Sequence, residues 1–581
     1  MELFLLLRGK RESQPDLPVT IREEFFDPDC MVRDEGGYRL FLNKKTLAAS
    51  CVQYTGLNGS AYGTGTFTYM RGNPEESLRS LVSDFGEGRF DHDSMLGHYF
   101  IFLFLPAGIK ILTDGASLVK AWHDEEGSFL TSSLLLAAKL RGRPVLNREA
   151  AVENLVTGGI TGNETLLTGI RLFSRDSMGL FSDIEFIFPS TERAVRGTGS
   201  FKEALSIQAE LLAGYFSSWR GLAASCGTDI GLTGGYDSRL VLACARNHFD
   251  DLQVHSHFRP AGSEEWRIAR MIADGEGLRF VSPEVTPPEE MDDEKLERVL
   301  EGSFRFNDGN ISLHCNWMEE YNTPEYRISV LGERCLGVSG IGGEQYRNQD
   351  RLYLKPWIFS QWLRYSWMRR VSGKAFMSKS DEDLIIDRMR KKICSALGFS
   401  QGKIFINLYD LKRIQNEVFI PAYRGARTDA ENRLSWYLSP LADARISAAA
   451  YGIIMFLRDS KRFEGDLIRM ISPALATYPT DYGYDLVRGE PNPVRMLNSA
   501  FENLLPASLK WVLREKARSG RKAGGVPEKI SSSLLLAGCI QNVADAGLPV
   551  SLPSLLARES TAHMVVSLGY FLEKIKPSTG S

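Results

Sequence analysis

The residues best suited to chemistry lie in one short stretch, DIGLTGGYDSRLVLACARNH, from Asp229 to His248. Two glycines, two hydroxyls and one carboxylate are grouped between a short apolar run and a sequence with helical periodicity. Glycine lets the backbone come close to a ligand, and the N–H groups at the start of a helix attract phosphate. Asp237 alone would repel phosphate, so its presence favours a bridging Mg²⁺. The alternative interpretation is an ordinary strand-to-helix turn that uses Gly, Asp and Ser.

The stretch differs from two familiar phosphate-binding motifs. No Gly-Lys-Ser/Thr follows the glycines, as a P-loop requires, and the dinucleotide fingerprint G-x-G-x-x-G is missing. Thr233 and Ser238 instead add two hydroxyl donors. In an open parallel sheet, ligands bind where strands end and helices begin, so the turn is expected at such an edge.

The elements that must position this turn change in character along the chain. Up to about residue 195, short apolar or alternating runs predict a β-rich region, with two strands separated at Pro106–Gly108 and a helix between Asn147 and Gly158. From about residue 200, one long amphipathic helix precedes strands that alternate with helices, a pattern typical of a parallel α/β sheet. The region from about 355 to 520 and two patterns in the last fifty residues are predicted to be helical.

Length and composition limit the classes of protein to which this chain can belong. A chain of 581 residues is too long for one ordinary core, so two domains are expected, 1–195 and 196–581. A net charge of -3 gives no overall attraction to nucleic acid or to an anionic membrane. The eight cysteines form no CxxC pair, which favours reduced thiols over a zinc site or disulfides. No apolar run is long enough for a signal peptide or a membrane span, so a cytoplasmic protein is expected.

LTGGYDSR resembles the Ser-Gly-Gly-x-Asp-Ser pyrophosphate-binding motif of the ATP pyrophosphatases. Within them it is most similar to the asparagine synthetase-like family, which includes β-lactam synthetases and lasso-peptide cyclases. The stretches 263–280, 336–348 and 431–452 are similar to family segments in the same order and spacing. The resemblance implies an α/β protein. An α+β sandwich of Ntn-glutaminase type would be followed by a parallel-sheet domain of adenine-nucleotide α-hydrolase type with a helical C-terminal part.

The same resemblance implies ATP and Mg²⁺ as cofactors and assigns roles to particular residues. Asp237 and Glu344 would bind the metal and take part in catalysis. The nucleotide would contact Leu232, Thr233, Gly234, Gly235, Asp237, Ser238, Gly340, Gly342 and Gly343. The family's lysine, which stabilises charge during catalysis, corresponds to Lys510 in one alignment, whereas a second alignment places that position near Arg495.

This chain departs from the family at two informative positions. A glutaminase of this class needs cysteine directly after the initiator methionine, and here residue 2 is Glu2. Unless processing exposes Cys30 or Cys51, the N-terminal domain is expected not to hydrolyse glutamine. Ile341 stands where the family has an acid or a tyrosine linked to the incoming amine. The base must therefore come from elsewhere, or the amine must arrive deprotonated.

Acidic, basic and aromatic residues near these motifs have both functional and structural interpretations. Arg239 could contact phosphate or make a structural ion pair. Glu264 and Glu265 could lie near the adenosine or simply begin a helix. The cluster YPTDYGYD at 478–485 could line a substrate pocket or pack as an aromatic turn.

Two histidines and two charged residues are expected to belong mainly to the scaffold. His255 and His257 alternate on one strand, and core packing is favoured over a position near the nucleotide. Arg433 and Asp443 are expected to make scaffold ion pairs rather than to act in catalysis.

Taken together, these features predict an ATP-dependent amide-forming ligase that adenylates a carboxylate, releases pyrophosphate and joins the acyl group to an amine. The amine could be free ammonia, part of a second substrate or part of the same molecule. An amine on a second substrate or on the same molecule favours peptide, natural-product or surface-glycan biosynthesis. Free ammonia would correspond to an asparagine synthetase-type amidation. A catalytically silent or partner-binding homologue stays open as an alternative function. The chain could also bind a partner protein or form a homo-oligomer. Nucleobase or tRNA modification would need a basic face that is not evident.

Overall fold

The computed structural model describes residues 1–9, 17–114, 117–189, 199–257, 263–348, 356–368, 376–457, 461–487 and 533–576. Within these ranges helices and strands are mixed, and the strands form several sheets, one of them parallel. None of the helices in these ranges combines the length and the apolar character needed to cross a membrane. Lys510 and Arg495 lie outside the described residues.

The N-terminal region forms two sheets, one with strand order β10-β8-β9-β1-β3-β2 and one with order β11-β7-β6-β5-β4. The strands are β1 (Leu3–Arg8), β2 (Met31–Glu35), β3 (Tyr38–Asn43), β4 (Val52–Gly56), β5 (Gly59–Tyr69), β6 (Met95–Leu105), β7 (Gly108–Thr113), β8 (Trp122–Asp124), β9 (Phe129–Thr131), β10 (Ile170–Leu172) and β11 (Ile184–Ile187). Strand β6 ends at Leu105 and β7 begins at Gly108, which confirms the two strands predicted on either side of Pro106–Gly108, and they pair antiparallel.

The two sheets pack face to face through the apolar side chains on their facing sides. Phe4 and Leu6 of β1 lie between the sheets, where the ring of Phe4 is 5.0 Å from that of Phe102 in an edge contact. The alternate residues of β1, Leu5 among them, pack on the other face in a core that includes helix residues. Four helices accompany the sheets: α1 (Val19–Phe25), α2 (Pro74–Gly86), α3 (Leu134–Arg141) and α4 (Arg148–Thr157). The N-terminal region is therefore a sandwich with helices on its outer faces.

The predicted boundaries of α4 are confirmed by its caps. The side chain of Asn147 accepts a hydrogen bond from the N–H of Ala150 at 3.2 Å, and Gly158 ends the helix with φ 89°.

The long helix predicted after residue 200 is instead two helices, α5 (Phe201–Ser218) and α6 (Arg220–Cys226), so the prediction of one helix was wrong. The chain turns at Trp219, whose side chain is buried beside Tyr215. A Cβ on Gly97 of β6 would lie 3.0 Å from the Trp219 ring. Burial of this large ring against the sandwich therefore accompanies the change of direction.

The next region contains strands β12 (Thr228–Gly231), β13 (Leu252–His255), β14 (Arg279–Val281), β15 (Leu336–Val338), β16 (Trp357–Ile358), β17 (Phe405–Ile406) and β18 (Trp436–Leu438). The connecting helices are α7 (Asp237–Arg246), α8 (Glu264–Gly275), α9 (Asp293–Phe306) and α10 (Pro324–Leu331). Five of the strands form a parallel sheet in the order β14-β13-β12-β15-β18, and β16 pairs with β17 separately. The predicted parallel α/β sheet is confirmed.

The strand order creates a topological switch point beside β12. From β12 the chain moves outward through β13 to β14, and it then returns to place β15 on the other side of β12. The loops after β12 and β15 therefore leave the sheet next to each other. Ligands of open α/β sheets bind in the crevice at such a point.

The rest of the described chain is mostly helical, as predicted. It contains α11 (Phe359–Ser366), α12 (Lys379–Ala396), α13 (Leu408–Arg413), a π-helix (Ile414–Arg424), α14 (Gly425–Leu434), α15 (Ala444–Tyr451), α16 (Arg462–Ile471), α17 (Pro473–Ala476), α18 (Leu534–Asp545), α19 (Leu552–Leu556) and α20 (Glu559–Lys574). Short 3-10 turns include Pro288–Glu290, Glu320–Asn322 and Gly343–Tyr346. One apolar core joins residues of α3, α4, α12 and α20, so the C-terminal helices share a core with the helices on one side of the sandwich.

Candidate functional site

A cavity of about 730 Å³ lies at the switch point of the parallel sheet. Both predicted loops line it, although they come from distant parts of the chain. The residues concerned are Leu232, Thr233, Asp237, Ser238, Ser339, Gly340, Ile341 and Glu344. The other predicted nucleotide residues, Gly234, Gly235, Gly342 and Gly343, belong to the same two loops. The structure therefore brings together the residues that the sequence assigned to one site.

The first loop is closed by its own hydroxyl groups. The N–H of Thr233 donates to Oγ of Ser238 at 3.1 Å, and the two hydroxyl oxygens are 3.0 Å apart. The N–H of Gly235 donates to Oγ1 of Thr233 at 3.2 Å. Helix α7 then begins at Asp237 with no side-chain cap on its first turn. Its first N–H groups are therefore suited to an anion in the cavity.

Glycine allows the second loop to approach the first one closely. A Cβ on Gly340 would lie 2.8 Å from the carbonyl carbon of Asp237 and from the amide nitrogen of Ser238. A Cβ on Gly343 would collide with the carboxylate of Asp237. Gly342 has φ 100°, and a Cβ there would lie 2.5 Å from backbone atoms of the 441–442 segment. These three positions therefore need glycine for steric reasons.

An arginine pairs with each of the two predicted metal ligands. Arg347 forms an ion pair with Asp237, and its Nε is 3.3 Å from Oε2 of the buried Glu464. Arg424 is 3.1 Å from Oε1 of Glu344. Sequence reasoning missed both arginines, although Arg347 follows Glu344 by one helical turn.

The acids of this network differ in their ionisation. Burial would raise the pKa of Glu344, but Arg424 and Arg347 outweigh it and hold the pKa below 4.5. Burial and the neighbouring Asp237 raise the pKa of Glu464 well above 4.5, against the effect of Arg347. The two arginines therefore favour the ionised form of Glu344, whereas burial and Asp237 favour the protonated form of Glu464.

The carboxylate pair fits a metal that also binds phosphate. In the described part of the chain, no group of three or more His, Cys, Asp or Glu side chains is placed to hold a metal. Mg²⁺ often uses only one or two carboxylates and completes its shell with water and phosphate oxygens. Asp237 and Glu344 supply two hard oxygen donors on facing loops and so fit that role.

A lysine that sequence reasoning missed lies near the first loop. The Nζ of Lys461 lies over the ring of Tyr482, and Asp237, Glu464 and Asp481 act on its charge. The pKa of Lys461 is lowered to about 8, first by burial and then by Arg347. Lys461 is therefore a candidate cation for this site among the described residues.

The remaining predicted residues divide between the cavity and the scaffold. His255 and His257 both line the cavity, and His255 is also buried. Arg239 is buried and donates to the carbonyl oxygens of Tyr478 at 2.9 Å and Pro479 at 2.6 Å. It therefore fixes the segment that begins the 478–485 cluster.

The acids at the start of α8 and the charged residues near β18 lie outside the cavity lining. Glu264 is exposed and pairs with Arg267. Glu265 is half-buried, and burial raises its pKa. Arg433 pairs with Asp308 at 3.2 Å and Asp429 at 3.3 Å, and Asp443 caps α15. These contacts agree with a scaffold role.

Glu2 is built into the interior of the sandwich. Its carboxylate accepts hydrogen bonds from Nζ of the buried Lys45 at 2.9 Å and from the N–H of Gly65 at 2.7 Å. The backbone N–H of Glu2 donates to the carbonyl of Arg433 at 2.9 Å. Burial raises the pKa of the Cys51 thiol to about 11, so that thiol is a poor nucleophile.

A scan of known protein families finds no model that matches the chain, and a search of curated proteins finds no match either.

Proposed function

We propose that this chain is an ATP-dependent ligase that adenylates a carboxylate and joins the acyl group to an amine. One observation carries the proposal: two glycine loops, one after β12 and one after β15, meet at the switch point and place Asp237 and Glu344 on the same cavity. We further propose that the parallel sheet is of adenine-nucleotide α-hydrolase type and the sandwich of Ntn-glutaminase type, as in the asparagine synthetase-like family.

The first loop suits the β- and γ-phosphates of ATP. The start of α7 offers backbone N–H groups, and Thr233 and Ser238 offer hydroxyls. Bound between Asp237 and Glu344, Mg²⁺ would supply positive charge to those phosphates. Arg347 and Arg424 pair with these acids, and on this proposal they would exchange a carboxylate for phosphate oxygens when the nucleotide binds.

The proposed reaction has two steps. A carboxylate oxygen attacks the α-phosphorus, the bond to the bridging oxygen breaks, and pyrophosphate is held by the first loop. The amine then adds to the acyl carbon, and AMP leaves. The protein contributes mainly positioning and charge stabilisation.

The cavity also offers room for the acyl substrate. Beyond the loops its lining includes Leu296, Met318, Leu536 and Ala562, together with polar residues such as Asn316. This mixture suits an amphipathic small molecule or a peptide side chain. Since Glu2 lies in a buried ion pair where a glutaminase has its nucleophile, the amine is proposed to come from a substrate or from free ammonia.

The products of ATP turnover test this proposal. The full chain is incubated with MgATP and a panel of carboxylates, and AMP and pyrophosphate are quantified. The wild type should form both in equal amounts, and Asp237→Asn should reduce their formation by about 100-fold or more. Asp274→Asn is the matched control, because Asp274 pairs with Arg270 on the exposed face of α8. Formation of ADP and phosphate, or an Asp237 variant as active as the control, would overturn the proposal.

A second candidate, a catalytically silent relative, is favoured by the arginine pairs. Arg347 and Arg424 neutralise the two acids without any ligand. In a silent relative these pairs would be permanent, and MgATP would not compete with them. Binding of MgATP to the wild type, measured by calorimetry, separates the two candidates.

A further inference from the structure

Two cysteines from distant parts of the chain lie side by side where two strands of the parallel sheet begin. Cys226 ends α6, directly before the turn into β12, and Cys335 directly precedes β15. The backbone N–H of Cys335 donates to the carbonyl of Cys226 at 3.0 Å. The pairing of β12 with β15 continues from this contact, with Thr228 opposite Leu336. The two cysteines are therefore neighbours at the edge of the sheet that lies opposite the loops of the candidate site.

The spacing of the two cysteines suits a disulfide. Their backbone hydrogen bond holds them at the distance of neighbouring strands, about 4.8 Å. A disulfide joins Cα atoms that are about 4.4–6.8 Å apart. Both side chains are partly exposed, so a small oxidant in solution can reach them. Half of the cysteines are buried by contrast, namely Cys244, Cys315, Cys394 and Cys539.

The two thiols also differ in acidity, as an attacking and a resolving cysteine should. All eight cysteines lie in the described ranges, and Cys335 is the only one whose thiol pKa is lowered from 9.0. The neighbouring Cys226 lowers it, against the effect of burial. The pKa of Cys226 is raised, first by Cys335 and then by burial, and its thiol donates to the carbonyl of Leu222 at 3.2 Å. Cys335 therefore ionises first, while Cys226 keeps its proton.

We propose that Cys226 and Cys335 are a peroxide-sensitive dithiol that forms a reversible disulfide. The thiolate is the reactive form of cysteine, so Cys335 attacks the oxidant and Cys226 resolves the product. The disulfide would join the starts of β12 and β15, the two strands whose other ends lead into the loops of the cavity. This modification site does not depend on the proposed function.

The reaction balances with hydrogen peroxide as the oxidant. The Cys335 thiolate attacks one peroxide oxygen, the O–O bond breaks, and the leaving hydroxide takes up the proton that the thiol released and becomes water. The sulfur of Cys226 then attacks the sulfenic acid of Cys335, the S–O bond breaks, and the hydroxyl group leaves as water with the proton of Cys226. Two thiols together lose two electrons, and one peroxide becomes two waters. A thiol reductant reverses the change by disulfide exchange.

Peptide mapping of the full chain tests the proposal. The reduced protein is treated with hydrogen peroxide at pH 7.5 without denaturant, the remaining thiols are blocked with iodoacetamide, and the digested peptides are analysed by mass spectrometry. The expected product joins the peptides of Cys226 and Cys335, and dithiothreitol separates them again. Two free thiols at these positions after Cys30 or Cys51 has been oxidised would overturn the proposal. So would a sulfinic acid at Cys335 beside an unmodified Cys226.

Serine variants separate the two roles. In Cys226→Ser, peroxide should leave Cys335 as a sulfenic acid that dimedone traps. In Cys335→Ser, trapping at Cys226 should be at least about tenfold lower. Cys51→Ser is the matched control, because Cys51 is also partly exposed, and it should form the disulfide like the wild type. Equal trapping in the two single variants, or loss of the disulfide in the control, contradicts the assignment.

A labelling rate measured on the wild type gives a test that needs no variant. The pKa of Cys51 is raised to about 11, whereas the pKa of Cys335 lies below 9.0. This difference gives Cys335 about 100-fold more thiolate at pH 7.5, and the lower nucleophilicity of the more acidic thiolate reduces the advantage to about tenfold. Iodoacetamide should therefore label Cys335 at least about ten times faster than Cys51. Equal or slower labelling of Cys335 would overturn its assignment as the attacking thiol.

Discussion

Replacement of Gly340 by alanine tests whether the two loops must touch. The new Cβ would lie 2.8 Å from backbone atoms of Asp237 and Ser238, whereas ordinary contact begins at 3.4 Å. Since neither atom belongs to a flexible side chain, the loops must separate by roughly half an ångström. We expect the free energy of unfolding to fall by about 1–3 kcal/mol, the usual range for overpacking.

The same displacement should weaken nucleotide binding. A misplacement of about 1 Å commonly costs about 100-fold in a positioned reaction, so half of it should cost about tenfold. The assays are calorimetric titration with MgATP and denaturant unfolding of the full chain. For the unfolding measurement the matched control is Gly235→Ala, because a Cβ there would meet only the side-chain oxygen of Thr233, at 3.3 Å. Neither glycine has a positive φ, so strain of the backbone itself does not enter the comparison. The reasoning is refuted if Gly340→Ala is as stable as Gly235→Ala and binds MgATP like the wild type.

Three further predictions concern buried charges and are checked by denaturant unfolding. Arg327→Ala should lower the free energy of unfolding by about 3–5 kcal/mol, because it removes the buried cation that lies between the buried acids Asp229 and Glu431, whereas the exposed control Arg298→Ala should change it by at most about 1 kcal/mol. Glu2→Ala should cost about 3–5 kcal/mol by leaving Lys45 buried without its carboxylate, and an effect below about 1 kcal/mol would argue against this pair. The pKa of Glu464 is raised on folding, so the folded state binds a proton that the unfolded state releases above pH 4.5. The free energy of unfolding of the wild type, relative to that of Glu464→Gln, should therefore fall as the pH rises above 4.5, by up to about 1.4 kcal/mol per pH unit. A difference between the two proteins that does not change with pH would contradict this prediction.

Much of the site could be predicted from the sequence because its signals are local. The apolar run of β12, the glycine pair and the helix that begins at Asp237 follow one another directly, and each has its own residue preference. The second loop likewise follows a short apolar run, and it contains Gly340, Gly342 and Gly343. Adjacency of the two loops follows from the parallel sheet, in which the ends of neighbouring strands meet at one edge.

The parts that could not be predicted depend on contacts between distant residues. Arg327 and Glu431 lie far from Asp229 in the chain, so no local pattern shows that the three form one buried charge network. Burial of Glu2 depends on Lys45, which also donates to the carbonyl of Asn432 in α14, 387 residues further along the chain. The break at Trp219 arises because its ring packs against the sandwich, which helical periodicity does not reveal.

Hydrogen exchange of the backbone amides, with and without MgATP, tests the central claim most directly. The account predicts that MgATP slows exchange in both loops, at 232–238 and at 339–344, and leaves the N-terminal sandwich unchanged. Protection of only one loop, or no protection at saturating MgATP, would contradict a shared nucleotide site at the switch point of the sheet.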